Sequence, residues 1–120
     1  MSTEMKLVTA CIHPHLEARV VNALHDLPEF PGFSIIELRG QGRGKGADGT
    51  YLASETDLVY QRHLQLQIVC ATDAVETISR IVAEAGWTGR KGDGVIIVTP
   101  VEGFSRIREA GARAAREASR

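Results

Sequence analysis

The sequence predicts an α+β domain of the ferredoxin-like class, with the order β-α-β-β-α-β and a long loop between strands 2 and 3. Three observations support this prediction. Four short apolar runs have the length or alternation of strands, and two segments between them carry apolar residues at helical spacing. A stretch of about twenty residues near the middle shows neither pattern. In this split arrangement, two helices cover one face of a four-stranded sheet.

The first third of the chain predicts a strand, a helix and a second strand. Residues 6–13 are apolar at both odd and even positions, which indicates a strand with two largely buried faces. Pro14 opens a helix over about 15–27, because apolar side chains recur there at i, i+4 and i+8. Two prolines and a glycine end that helix, and residues 33–39 predict the second strand.

The third strand and the second helix follow the long loop. Residues 64–70 alternate between apolar and polar with a period of two, which is typical of a strand. Asp73 and Glu76 have the spacing of a capping box and predict the start of a helix. Gly86 predicts its end.

The last part of the chain predicts a fourth strand at 95–99, ended by Pro100, and a tail from about 105 that is weakly helical at best. Two helices can cover only one face of the sheet, yet the first and fourth strands are apolar on both faces. The uncovered face therefore needs a partner, and a second copy of the chain is the simplest one. We expect a homo-oligomer.

The composition fits a single domain spanning residues 1–120. The chain is 43% hydrophobic and has a net charge of −1, which argues against disorder and against general nucleic-acid binding. It shows neither an apolar run of membrane-spanning length nor a secretory leader, so we expect a cytoplasmic protein. Cys11 and Cys70 are expected to be buried free thiols, with a redox pair as the alternative because their strands should be neighbours.

Positive charge is concentrated in three short segments of an otherwise acidic chain: the run 39–46, the pair Arg90 and Lys91, and the tail with Arg106 and Arg108. If folding brings these segments together, they form a compact anion site; the alternative is ordinary solvated surface charge. Two of the segments are also rich in glycine, so their backbone N–H groups can approach phosphate oxygens. A flexible loop is the alternative for the first segment, and an RNA-binding role is disfavoured because it has few aromatic neighbours.

These segments carry a resemblance to a known family. The runs Gly40-Gln41-Gly42-Arg43-Gly44-Lys45-Gly46, Thr88-Gly89-Arg90-Lys91-Gly92-Asp93-Gly94, Pro100-Val101-Glu102 and Arg106-Ile107-Arg108 resemble the P-II nitrogen-regulatory signal proteins, from residue 6 to about 108. The resemblance implies a homotrimer of ferredoxin-like subunits that binds ATP, ADP or AMP as a regulatory ligand in clefts between neighbours. It also implies a mobile loop, here about 42–62, that docks on a membrane transporter or a metabolic enzyme.

The resemblance also implies which residues bind the nucleotide. The base of the loop and the facing turn would contact the phosphates, two strand residues would lie near the adenine, and two arginines would reach the phosphates from the adjacent subunit. In that order these residues are Gly40, Gln41, Gly42 and Arg43; Gly92, Asp93 and Gly94; Ser34 and Gln67; and Arg106 and Arg108.

Five positions depart from the family pattern, and one of them is Gln67, which stands where the family commonly has an acidic residue. Gly44 stands where the family has a glutamine that helps to hold magnesium and 2-oxoglutarate, and His63 replaces a lysine that meets the oxo-acid. Thr56 occupies the place of the loop tyrosine that is uridylylated in some members, and Val95 replaces a phosphate-binding lysine. We therefore expect a divergent P-II-like protein with neither a 2-oxoglutarate response nor uridylylation.

Other functions remain as alternatives at this stage. A transporter-associated regulator linked to a metal or to bicarbonate is one, because His13, His15 and His25 are ligand types, although the rings of the first two are expected to diverge. A weak ATPase is less favoured, because the sequence offers neither a positioned base nor a pair of magnesium-binding carboxylates. We expect a regulator rather than an enzyme, without a metal site or a catalytic cofactor.

Overall fold

The computed structural model describes residues 4–40 and 61–119. Within these ranges the chain forms four strands and three α-helices: β1 (Met5–Ile12), α1 (Glu17–His25), β2 (Ser34–Gly40), β3 (Gln61–Ala71), α2 (Val75–Gly86), β4 (Ile96–Val101) and α3 (Ile107–Ala118). The order of the first six elements confirms the predicted arrangement. The predicted loop at 42–62 lies outside the described residues as far as residue 60; Gln61 and Arg62 already belong to β3.

The sheet is antiparallel, with the strand order β2-β3-β1-β4. In the central pair, Met5 lies opposite Ala71 and Ile12 lies opposite Leu64. The edge strands β2 and β4 pair with β3 and β1, respectively. This topology places the C-terminal end of β1 beside the start of β3, and the functional site is built at that end.

One face of the sheet packs against α1 and α2 to form the core. Val8, Ala10 and Ile12 of β1 are buried on this face, as are alternate residues of β3 from Leu64 to Cys70. The helices complete the core with Val20, Leu24, Ile78, Val82 and Ala85. The period-two and helical patterns therefore identified the core correctly.

The other face of the sheet is not covered within a single chain. Leu7, Thr9 and Cys11 are half-buried, so the expectation that both faces of β1 are buried is wrong for the isolated chain. Ile36 and Ile97 lie on the same open face and remain 45% and 49% exposed. Because exposed apolar side chains on one face of a sheet favour association, this face supports the predicted oligomer, which stays a prediction.

The C-terminal part of the chain corrects two predictions. Pro100 does not end the fourth strand but lies within β4, opposite Lys6. Proline is tolerated there because β4 is an edge strand, where an N–H can be missing without breaking the sheet. The tail forms the twelve-residue helix α3, because alanine and arginine have high helix propensity. Its side chains are all exposed, and Ile107 is 89% exposed.

The helix starts also differ from the prediction. A 3-10 turn, Pro14–Leu16, precedes α1, which ends at His25 rather than near residue 27. Asp73 and Glu76 form no capping box: another 3-10 turn, Thr72–Ala74, precedes α2, whose first turn has no side-chain cap. The backbone N–H and the hydroxyl of Thr72 instead both donate to the carbonyl oxygen of Glu4 (3.0 and 3.1 Å), so this turn is fixed to the start of β1.

The two cysteines lie on neighbouring strands, as predicted, but not near one another. Cys11 is opposite Gln65 and Cys70 is opposite Lys6, which separates them by about 17 Å along the sheet. Both are free thiols, and the redox-pair alternative is excluded by the register. Cys70 is buried as expected, and burial, with a contribution from the charge of Asp73, raises the pKa of its thiol. Cys11 is only half-buried.

Candidate nucleotide-binding site

The turn between α2 and β4 is organised by one carboxylate. Asp93 accepts a hydrogen bond from the backbone N–H of Thr88 (2.9 Å) and another from the Thr88 hydroxyl. The hydroxyl oxygen of Thr88 in turn accepts from the backbone N–H of Arg90 (3.2 Å). This network closes residues 88–93 into a defined loop and brings the cations of this segment to the surface beside it.

Glycine is required in this turn by its backbone conformation. Gly89, Gly92 and Gly94 have φ values of +82°, +84° and +115°, a region that other residues rarely adopt. Gly94 also packs against the backbone of β1, where the N–H of Cys11 donates to the carbonyl oxygen of Val95 (2.9 Å). The turn is therefore fixed to the end of the sheet.

Two histidines connect this turn to the central strands. The Nε2–H of His63 donates to the carbonyl oxygen of Gly92 (3.3 Å), and Nε2 of His13 lies 3.3 Å from the Oδ1 atom of Asp93. The ring of His13 is stacked on that of His63, with centroids 5.3 Å apart. Residues from β3, from the end of β1 and from the turn thus meet in one cluster.

His15 also belongs to this cluster, contrary to the expectation that its ring diverges from that of His13. The two ring centroids are 5.4 Å apart. His25 lies elsewhere, stacked on Phe30 at 4.4 Å. In residues 4–40 and 61–119, no three histidine, cysteine, aspartate or glutamate side chains are arranged to hold a metal ion.

The histidine cluster is the feature that the sequence analysis missed. The signal was available in the register: extending the pairing of Ile12 with Leu64 by one residue places His13 opposite His63. The two strands could be paired from their apolar patterns. The contacts with Gly92 and Asp93 could not be predicted, because they depend on how the turn folds back on the sheet.

We expect Asp93→Asn to weaken the turn and to change how stability depends on pH. The hydrogen bonds from Thr88, followed by the contact with His13, lower the pKa of the Asp93 carboxyl. A lowered pKa in the folded state contributes stability above the unfolded-state value, about 4, and that contribution disappears as the pH falls through the folded-state pKa. Denaturant unfolding at pH 7 and at pH 3 measures this difference.

The control for this prediction is Glu84→Gln, which removes a carboxylate from an exposed position of α2. The Asn variant should be less stable than the wild type at pH 7, and the difference should be smaller at pH 3. An equal difference at both pH values would contradict the role of the charged carboxylate.

Of the predicted phosphate-binding residues that the structure describes, those of the loop base and of the facing turn meet at this end of the sheet. Gly40 ends β2 opposite Gln61. A Cβ atom at Gly92 would lie 3.5 Å from Oε1 of Gln61, so the turn is next to that strand pair. Gly92, Asp93 and Gly94 are thus brought together with Gly40, whereas Gln41, Gly42 and Arg43 lie outside the described residues.

A cavity of about 430 Å³ adjoins the cluster at the same end of the sheet. Basic side chains contribute to its wall together with one carboxylate; the lining residues are Pro14, Glu37, Leu38, Arg39, Arg62, His63 and Leu64. This wall carries net positive charge, which suits an anionic ligand.

The remaining predicted site residues lie outside the cluster around the turn within one chain. Ser34 and Gln67 lie opposite one another on the open face of the sheet. Arg106 and Arg108 follow β4, which ends opposite Met5, at the end of the sheet away from the turn. The guanidinium of Arg106 lies 5.4 Å from the centre of the Phe104 ring. A single chain therefore does not assemble the complete predicted site.

Comparison with known proteins agrees with this architecture. The family described as "Nitrogen regulatory protein P-II" matches residues 5–111 of the chain. The "Nitrogen regulatory protein P-II" of Azospirillum brasilense is 36% identical over 104 residues, which cover 87% of this chain and 92% of the relative. The "Nitrogen regulatory protein GlnK" of Escherichia coli K12 is 33% identical with the same coverage.

A solved structure shares the fold. The crystal structure of Arabidopsis thaliana PII bound to citrate has a TM-score of 0.70 and 25% identity, and the match covers 89% of this chain and 83% of that one. The family match and these relatives together place the chain, with its antiparallel ferredoxin-like sheet, in a class of regulatory signalling proteins. The chain belongs to the P-II family of nitrogen regulatory proteins, which act on partner proteins. None of its described helices is long and apolar enough to cross a membrane.

Proposed function

We propose that this P-II protein is a homotrimeric sensor of adenine nucleotides that regulates a transporter or an enzyme through the segment between Gly40 and Gln61. The main support is the position of the turn at Gly92–Gly94. Its glycine backbone lies beside the strand pair that begins and ends this segment, so a phosphate bound at the turn would contact both. Nucleotide identity would then change how the segment meets its target.

The need for a second chain follows from the position of the tail. Arg106 and Arg108 lie at the end of the sheet opposite the turn, so they can complete a phosphate site only on a neighbouring copy. The half-exposed apolar side chains of the open sheet face provide a surface for that neighbour. A closed ring of three copies gives each turn one such tail.

We also propose that 2-oxoglutarate is not a ligand. His63 stands at the position of the family lysine that meets the oxo-acid, and its Nε2–H donates to the carbonyl oxygen of Gly92 within the chain. Gly44 has no side chain to replace the glutamine of the family pattern. Regulation would therefore depend on the nucleotide without this second metabolite.

Thermal unfolding with added nucleotide tests the proposal. ATP, ADP or AMP at about 100 times its dissociation constant should stabilise the protein by about 2.7 kcal/mol, whereas GTP at the same concentration should have a much smaller effect. Further addition of 2-oxoglutarate with magnesium should give no additional stabilisation. Equal unfolding temperatures with and without each adenine nucleotide would reject the proposed ligand.

A further inference from the structure

The structure places three of the four histidines of the chain in one cluster, which the nucleotide site described above does not use directly. The rings of His15 and His63 each lie within 5.4 Å of the ring of His13. Imidazole is the ordinary side chain that gains a proton nearest to neutral pH. Three such rings in contact beside the turn form a candidate proton-binding site.

The hydrogen bonds fix which ring atoms can take up a proton. The carbonyl oxygen of Gly92 and the carboxylate of Asp93 can only accept, so Nε2 carries a hydrogen in both His63 and His13. Their Nδ1 atoms are therefore the positions for an additional proton. Protonation at Nδ1 keeps both Nε2 hydrogen bonds. It also gives each donor ring a positive charge, which strengthens these hydrogen bonds.

The surrounding charges limit how many protons the cluster holds without a ligand. The Asp93 carboxylate already accepts from Thr88 and faces His13, so it offsets the charge of one ring. Glu37 lines the cavity next to His63, but Arg39 and Arg62 line it too. The turn itself adds Arg90 and Lys91. Further protonation therefore brings like charges together.

We propose that His13, His15 and His63 form a proton-binding site that is linked to nucleotide binding at the adjoining Gly92–Gly94 turn. Phosphate oxygens at this turn would supply the negative charge that the protonated cluster lacks. Nucleotide binding therefore takes up protons, and by reciprocal linkage the affinity rises as the pH falls from about 7.5 to 6. The protein then responds to acidity as well as to nucleotide. This inference rests on the proposed function.

Calorimetric titration of ATP at pH 6.5, in two buffers of different ionisation enthalpy, measures the protons taken up per nucleotide bound. The variants are the triple change His13→Gln, His15→Gln and His63→Gln, and the matched control His25→Gln, whose ring stacks on Phe30 away from the cluster. Because the phosphate of ATP titrates in the same range in every variant, only differences between variants are interpreted.

We expect the wild type and the His25 variant to take up about one proton more than the triple variant. One proton corresponds to a tenfold change in affinity per pH unit, so the wild type should gain about tenfold more affinity than the triple variant on going from pH 7 to pH 6. If the triple variant does not fold, the single variants His15→Gln, at an exposed position, and His63→Gln are each compared with the wild type. Each single variant should then lose part of the proton uptake.

The outcomes separate this inference from the proposed function. Equal proton uptake by the wild type and the cluster variants, with ATP still bound, overturns the inference and leaves the nucleotide site intact. Absence of ATP binding at both pH 6 and pH 7.5 overturns the proposed function and this inference with it. A loss of uptake in the His25 variant equal to that in the triple variant also overturns the cluster as the proton site.

Discussion

Gly94→Ala is expected to destabilise the protein by more than about 4 kcal/mol, a loss that few single substitutions cause. A Cβ atom at this position would overlap the carbonyl oxygen of Cys11 and lie 2.8 Å from its carbonyl carbon. The backbone of Cys11 cannot shift easily, because its N–H donates to the carbonyl oxygen of Val95 at the start of the β1–β4 pairing. The φ value of +115° adds backbone strain for any residue with a side chain.

Two other glycines provide controls for this experiment. Gly103→Ala should change the free energy of unfolding by less than about 0.5 kcal/mol, because nothing lies within 4 Å of its Cβ position. Gly92→Ala should be intermediate, at about 1–2 kcal/mol, because its φ is +84° but its nearest neighbour is the end of the Gln61 side chain at 3.5 Å. Denaturant unfolding measures all three. A Gly94 variant as stable as the wild type would show that the turn does not pack on β1.

The double change Arg106→Ala and Arg108→Ala is expected to remove the stabilisation of about 2.7 kcal/mol that nucleotide gives at 100 times its dissociation constant. Arg106 immediately precedes α3 and Arg108 lies in its first turn. Both side chains are exposed and away from the core. Their removal should therefore leave the unliganded protein almost unchanged in stability. Loss of two guanidinium groups from a phosphate site costs much more, because each can donate paired hydrogen bonds.

The same helix offers a matched control. Arg113→Ala with Arg116→Ala removes an equal charge from α3, about two turns further along. The nucleotide-induced shift should survive in this control, and light scattering should give the same molar mass for both double variants. Equal loss of the shift in both variants would indicate a general charge effect rather than a phosphate site. Dissociation of the Arg106 and Arg108 variant would make these arginines structural.

The order of strands and helices could be predicted from the sequence because it depends on local patterns. The apolar alternation of β3 and the helical spacing of α1 and α2 each report a face that must be buried, and burial follows those faces. The prediction that Pro100 ends the fourth strand was wrong because proline is tolerated within an edge strand, and β4 is one. Which strand lies at the edge is a property of the whole sheet and not of the residues next to Pro100. The capping box does not form because the 3-10 turn Thr72–Ala74 precedes α2 and makes Ala74, not Asp73, its N-cap residue.

Of the candidate site, only the turn at 88–94 could be identified from the sequence, because its glycines mark it locally. The glycine and cation content of the turn at 88–94 predicted an anion-binding element, which stays a prediction; the structure shows that three of its glycines have the positive φ values of a tight turn. The histidine cluster depends on contacts between residues up to eighty positions apart, His13 with Asp93 and His63 with Gly92. Such contacts become visible only once the turn is folded against the sheet.

Native mass spectrometry of the purified protein with ATP measures the number of chains and the number of nucleotides in a single particle. We predict three chains carrying up to three nucleotides, because each turn would be completed by the arginines of a neighbour. A monomer that retains one nucleotide would contradict the shared site. A trimer that retains no ATP would contradict adenine nucleotide as the ligand.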